Sequence, residues 1–205
     1  MIFGEFKNKM FDLACFNTHQ VYAWQPDFDR NNLTRWVRKG YLTRLRQGYF
    51  AFSEYKSKPD YAFYCANRIY HPSYISLHTA LAFYGMIPEA VLQVTSVSSL
   101  KTAAFSNDFG EYHYHNVKEN LMFGYDLKPM ADSRAIAFAS PEKALLDLLY
   151  LYPFYNSEPE LKELRLDEDY LHHDLNKDLL ASYCDRFQSK ALSYRVKLLF
   201  KTYDL

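Results

Sequence analysis

Between Arg30 and Arg46 the chain carries six basic residues and no acidic one; Gly40 interrupts the run and Gly48 follows it. Leu33, Trp36 and Val37 fall at i, i+3 and i+4, the spacing of a helix that buries one face. Asp29 is a good N-cap for that helix, and Gly40 suits the C′ position, where a positive φ ends it. Arg30, Asn31, Thr34, Arg35 and Arg38 then form a continuous outward stripe. Beyond Gly40, Leu42 to Gln47 alternate as in a strand, which predicts Arg44 and Arg46 on one face. Gln47 and Gly48 supply a tight turn, and Tyr49 to Phe52 a return strand.

Upstream, residues 5–15 place Phe6, Met10, Leu13 and Ala14 on one helical face. Phe16, Asn17 and Thr18 offer a cap before a second short helix, His19 to Trp24, which Pro26 ends. Three helices and a hairpin within residues 1–56 follow the order of a winged helix-turn-helix. In that fold one helix enters the major groove and the hairpin lies beside it. The side-chain chemistry agrees, since Arg forks onto guanine, Asn pairs with adenine, and Thr reaches phosphate. The expected DNA-binding set is Arg30, Asn31, Thr34, Arg35, Arg38, Lys39, Arg44 and Arg46. Charge is divided to match. Formal charge cancels over the chain, but residues 1–52 hold eight basic and four acidic residues, leaving 16 basic against 20 acidic for the rest. Such a division points to an anion-binding N-terminal module joined to a part that does not bind polyanions.

Ser53 to Asp60 is polar, contains Pro59, and reads as a linker. A second domain, residues 57–205, follows as a small mixed β-sheet flanked by helices, which makes the whole chain α+β. Helices are expected over residues 61–70 and from Leu77 to Tyr84, the latter capped by Ser76 and stopped by Gly85. Strands are expected over Val91–Ser98, with Leu92, Val94 and Ser96 on one face. Further strands are expected at Thr102–Phe105 and Glu111–Val117, as a hairpin, and over Asn120–Asp126 and Arg134–Ala139. Ser140 as cap and Pro141 at N1 start a helix that buries Ala144, Leu145, Leu148 and Leu149. From about residue 156 the chain is charged and helical, and its last helix sets Leu192, Val196, Leu199 and Phe200 against Arg195, Lys197 and Lys201.

Signals for chemistry are weak. Cys15, Cys65 and Cys184 are far apart, and no CxxC occurs, so neither a zinc knuckle nor a disulfide framework is indicated. His113 and His115 would share a strand face, but no third ligand is predictably close. Asp108, Glu111 and His113 form at most a nuclease-like trio that lacks a following lysine at the right spacing. Glu142 and Asp147 have a capping and solvent explanation. There is no GxSxG, P-loop, HExxH or GxGxxG. The expectation is a protein that is not an enzyme and needs no cofactor or metal. The N-terminus lacks the order of a signal peptide and no apolar run is long enough to span a bilayer, so a soluble cytoplasmic protein is expected.

Five phrases occur in a fixed order: WVRKGYLTRLRQGYF from Trp36, YISLHTALAFYGMIPE from Tyr74, VT from Val94, FGEYHY from Phe109 and ASPEKALLDLLY from Ala139. Together they resemble the AbiEi-type antitoxins of abortive-infection (type IV) toxin–antitoxin systems, also described as transcriptional regulators, over roughly residues 18–150. The resemblance implies an N-terminal winged helix that represses its own operon, with double-stranded DNA carrying inverted repeats as its target. It also implies a C-terminal domain that counteracts a nucleotidyltransferase-like toxin, with direct contact not required. No catalytic residues come with the family. The acid-leaning part after residue 52 departs from a domain that would help hold DNA. The alternative reading is a winged-helix protein-interaction module, or a stand-alone regulator with no toxin partner.

Overall fold

A computed structural model describes residues 2–205. The chain is α+β, with ten α-helices and nine strands in two sheets among the described residues. The N-terminal part runs α1 (Phe3–Met10), β1 (Cys15–Asn17), α2 (Thr18–Trp24), α3 (Asn31–Arg38), β2 (Leu42–Arg46) and β3 (Tyr49–Phe52). Its strands are antiparallel in the order β1-β3-β2. Phe6 sits at the centre of this part. Its ring centroid lies 4.6 Å from Trp36, 5.5 Å from Phe16 and 5.6 Å from Phe28, so α1, β1 and α3 close on one aromatic core. Rings of this size supply most of the buried area available to so short a segment.

The first helix is shorter than its periodicity predicts. It stops at Met10, Phe11–Leu13 form a 3-10 turn, and Ala14 takes a φ of 59°. Cys15 to Asn17 then pair with Ala51, Phe50 and Tyr49. Three residues are too few for alternation to show, and this strand exists because β3 offers it an edge. Asn17 also closes a capping box on α2: its Oδ1 accepts from Gln20 N at 3.0 Å, and Gln20 Oε1 accepts from Asn17 N at 2.9 Å.

The second sheet is built from α4 (Tyr61–Ile69), β4 (Ser73–Ile75), α5 (Leu77–Phe83), β5 (Gln93–Ser98), β6 (Ala103–Asn107), β7 (Gly110–Asn116), β8 (Tyr125–Pro129), β9 (Ala135–Ala139) and α6 (Pro141–Leu151). Its strand order is β6-β7-β5-β4-β9-β8, parallel at β5–β7 and β4–β9 and antiparallel elsewhere. On one face α4 is tied down by the Tyr114 hydroxyl, which donates to Ala66 O at 2.8 Å. The opposite face carries α6, reached by the Tyr74 hydroxyl through Asp147 Oδ2 at 2.9 Å. Ser140 caps α6 by accepting from Lys143 N, with Pro141 at its start, as the sequence predicts. Every residue from Glu142 to Leu149 is buried, because α9 (Lys177–Arg186) and α10 (Lys190–Thr202) pack on the side of α6 away from the sheet. Two short helices, α7 (Glu158–Glu163) and α8 (Glu168–His173), complete the tail.

Several boundaries move. The strand expected from Val91 starts at Gln93, which leaves Leu92 94 % exposed rather than beside Val94. Asn120 lies in a 3-10 turn, and the strand expected over 120–126 begins only at Tyr125. Gly124 makes that turn with a φ of 68°, and a Cβ there would lie 2.8 Å from the Tyr183 ring and 3.1 Å from Lys143 Cβ. Ser76 precedes α5 but does not cap it with its side chain, whose hydroxyl instead donates to Asp147 Oδ2 at 2.8 Å. Arg195, expected on the polar face of the last helix, is buried and donates to Leu149 O at 3.0 Å, satisfying a carbonyl at the end of α6.

The segment read as a linker is a packed joint. Ser53–Ser57 form a 3-10 turn in which Tyr55 is buried, its hydroxyl donating to Phe11 O at 3.0 Å and its ring stacked on Tyr61 at 4.7 Å. Arg134, from the turn before β9, donates to Asp12 O at 2.7 Å and to the Tyr55 hydroxyl at 3.2 Å. One tyrosine among polar neighbours is enough to seat the segment on both flanking cores.

Candidate nucleic-acid interface

The helix α3 is organised by what it buries. Leu33 and Trp36 face the aromatic core, and Asn32 is buried beside them. Arg30, Asn31, Thr34, Arg35, Arg38 and Lys39 are all exposed, and apart from Asp29 no carboxylate lies in or next to the helix. Asp29 Oδ1 accepts from Asn31 N at 2.9 Å and caps the turn leading into α3. At the other end Gly40 has a φ of 74°, with Tyr41 N donating to Trp36 O and Gly40 N to Val37 O. This is a Schellman stop, and it turns the chain sharply into β2.

Arg35 Nη2 donates to Asn32 Oδ1 at 2.6 Å and lies 3.4 Å from Asp29 Oδ2, so the guanidinium is folded along the helix surface. An exposed pair of this kind contributes only about 0–1 kcal/mol. A phosphate or a guanine edge, met with charge-assisted bidentate geometry, outcompetes it.

The hairpin departs from the expected alternation. Arg44 pairs with Phe50 but Arg46 pairs with Tyr49, so Leu45 is the extra residue of a β-bulge. The bulge sends the two arginines to opposite faces. Arg44 is exposed, with its guanidinium 5.7 Å above the Phe50 ring. Arg46 is half-buried between the two sheets, donating to Ile69 O at 2.6 Å and lying 4.7 Å from the Phe105 ring centroid and 5.5 Å from that of Tyr70. The expectation that both arginines hold the phosphate backbone is therefore corrected for Arg46, which joins the hairpin to α4 and β6. The strand pattern hid this, because a bulge inverts every later residue without leaving a mark in composition.

A cleft of about 450 Å³ opens where the end of α3, the hairpin and the β6–β7 turn meet. Gly40, Thr43, Arg44, Ser53, Lys56 and Asp108 are among its lining residues. Lys56, placed in a linker by the sequence, thus joins Arg44 on the surface next to the C-terminal end of α3. Nothing in its sequence surroundings marks it, since its position depends on the seating of Tyr55.

The other constellations separate. Asp108 borders this cleft and Glu111 a different one with His78, Glu89 and Glu163, and with His113 these two carboxylates make no group arranged to hold a metal. His115 Nε2 is 3.2 Å from the Tyr152 hydroxyl, and burial lowers the pKa of both His115 and His78. No group of three His, Cys, Asp or Glu side chains arranged to hold a metal occurs among the described residues. Cys15, Cys65 and Cys184 are buried and unpaired.

The solvent explanation for Asp147 and Glu142 fails, because both are buried. Asp147 forms an ion pair with Lys143 one helical turn away, and its carboxylate also accepts from Tyr74 and Ser76. Lys143 Nζ donates to the Tyr74 hydroxyl at 2.9 Å and faces the rings of Phe187 and Phe123. Burial pushes the Asp147 carboxyl up and the Lys143 ammonium down, and their mutual attraction only partly opposes this. Glu142 Oε1 accepts from Asn176 N at 3.1 Å and so caps the start of α9. With neither Lys143 nor Asp147 exposed to solvent, the cluster fastens α6 to the sheet.

No family model matches this sequence, and no curated protein is significantly similar to it.

Proposed function

We propose that residues 1–56 are a winged helix-turn-helix that binds double-stranded DNA, with α3 in the major groove and the β2–β3 hairpin as the wing. The observation that carries this reading is the exposed stripe of Arg30, Asn31, Thr34, Arg35, Arg38 and Lys39. Its backing is the element order helix, strand, helix, helix, strand, strand, with the strands arranged β1-β3-β2. Arg44 and Lys56 serve as phosphate contacts on the flank of α3, and Arg46 does not. Joined to the AbiEi-type phrases, this makes the protein an autorepressor and antitoxin. It acts by binding inverted repeats in its own promoter rather than by catalysis, in the cytoplasm, with residues 57–205 countering a nucleotidyltransferase-like toxin encoded beside it. Among the described residues no helix is long and apolar enough to cross a membrane.

Fluorescence anisotropy on a duplex of the protein's own promoter, over a salt series, tests the DNA arm. Arg35→Ala is expected to weaken binding by roughly 1–3 kcal/mol if it forks onto a base. Wild-type affinity is expected to fall steeply with salt, as counterion release requires. Full operator affinity in an Arg35→Ala, Arg44→Ala double variant would refute the site. Co-expression with the neighbouring reading frame tests the antitoxin arm, and growth arrest unrelieved by this protein would refute it.

A further inference from the structure

The six-stranded sheet has two outer strands, and their surroundings differ. β6 is covered, since Asn107 Nδ2 donates to Leu45 O at 2.9 Å and seats β6 beside β2. β8 is bonded on one side only, to β9. Its residues are largely exposed, including Leu127 at 70 % and Tyr125 at 38 %. The bonds flanking it reveal which backbone groups are free. Met130 N donates to Arg134 O and Ser140 N to Gly124 O, so even-numbered positions turn their N–H and C=O toward β9. Asp126 and Lys128 share that parity. Tyr125, Leu127 and Pro129 turn their backbone groups outward, and Pro129 stands where its missing N–H breaks no bond to β9.

We infer that β8 pairs antiparallel with β8 of a second copy of this chain, centred on Leu127. The residues themselves select this occupant. In that register Asp126 faces Lys128 of the second copy, and Lys128 faces Asp126 of the second copy, on one side of the extended sheet. On the other side the two Leu127 side chains cover each other, with Tyr125 opposite Pro129. A two-fold interface must satisfy this reciprocity, residue i on j and j on i, and Tyr125–Pro129 satisfies it in both side-chain charge and apolar character. Most of the outward backbone groups find partners: Leu127 N–H meets Leu127 C=O in both directions and each Tyr125 N–H meets a Pro129 C=O, while each Tyr125 C=O, opposite the proline nitrogen, stays with solvent. Asp126 has no ion-pair partner among the described residues, and Lys128 Nζ rests 4.8 Å from the Tyr84 ring centroid, on the same side of the sheet as Asp126. Shortness, a lysine and a proline all discourage indiscriminate edge pairing. They leave a brief strand that matches its own reverse. The inference does not depend on what α3 binds.

Sedimentation velocity of the full chain over a concentration series, without DNA, tests the pairing. The wild type is expected to form a reversible dimer. Asp126→Lys sets lysine against Lys128 at both symmetric positions, and Lys128→Asp sets aspartate against Asp126, so each is expected to raise the dimer dissociation constant about tenfold or more. Both changes in one chain restore opposite charges and are expected to restore the dimer, as is mixing the two single variants. Both positions lie on the outer strand, and unchanged thermal melts would confirm that the variants are folded. A wild type that stays monomeric at every concentration overturns the inference. So do single variants with unchanged affinity, or a double variant that is not rescued.

Discussion

Replacing Lys143 with methionine isolates a fully buried ion pair. The side chain is fully buried, and its ammonium bonds to the Asp147 carboxylate and the Tyr74 hydroxyl. Methionine fills much of the same volume, so little of the loss is a cavity. What remains is an uncompensated Asp147 carboxylate, and breaking a buried pair in this way costs about 3–5 kcal/mol. The low end applies here, because Tyr74 and Ser76 still donate to the carboxylate. About 3 kcal/mol multiplies the unfolded population roughly 150-fold. The pH dependence identifies the cause. Burial already holds the folded-state pKa of Asp147 above its ordinary value, and losing the lysine raises it further. A group raised in the folded state contributes stability below its unfolded pKa and loses it as pH rises through the folded pKa. Urea unfolding should therefore show a penalty for Lys143→Met that is small near about pH 4.5 and largest near about pH 7, with an unchanged m-value. A penalty that is equal at both pH values, or below about 1 kcal/mol at neutral pH, would refute the claim that an unpaired buried carboxylate is responsible.

Three further outcomes follow from the hairpin and from the turn before β8. Arg44→Ala is expected to lower the salt slope of DNA binding by about one contact. Arg46→Ala should leave that slope unchanged but destabilise the fold by about 1.5–3 kcal/mol through its lost bond to Ile69 O, measured by urea unfolding. Equal effects of the two arginines on salt dependence would contradict the bulge assignment. Gly124→Ala should destabilise by more than about 1 kcal/mol, because it adds left-handed strain to a close approach by Tyr183, and a neutral melt would contradict that.

Residues 30–40 were legible for a physical reason: cap, apolar spacing and glycine stop are all local, so helix and outward stripe follow from neighbours in the chain. The same holds for Ser140 and Pro141 at the start of α6. What failed was nonlocal. β1 needs β3 to exist, Lys56 needs Tyr55 to be seated, and Asp147 looks like a surface acid until Tyr74, Ser76 and Lys143 enclose it. Arg44 and Arg46 show the boundary most clearly. Local pattern is enough to place a basic helix ahead of a hairpin bearing two arginines. That one faces solvent and the other joins two sheets is settled by packing, because a single bulged residue reverses a strand's faces and is specified by its partners rather than by its own pattern.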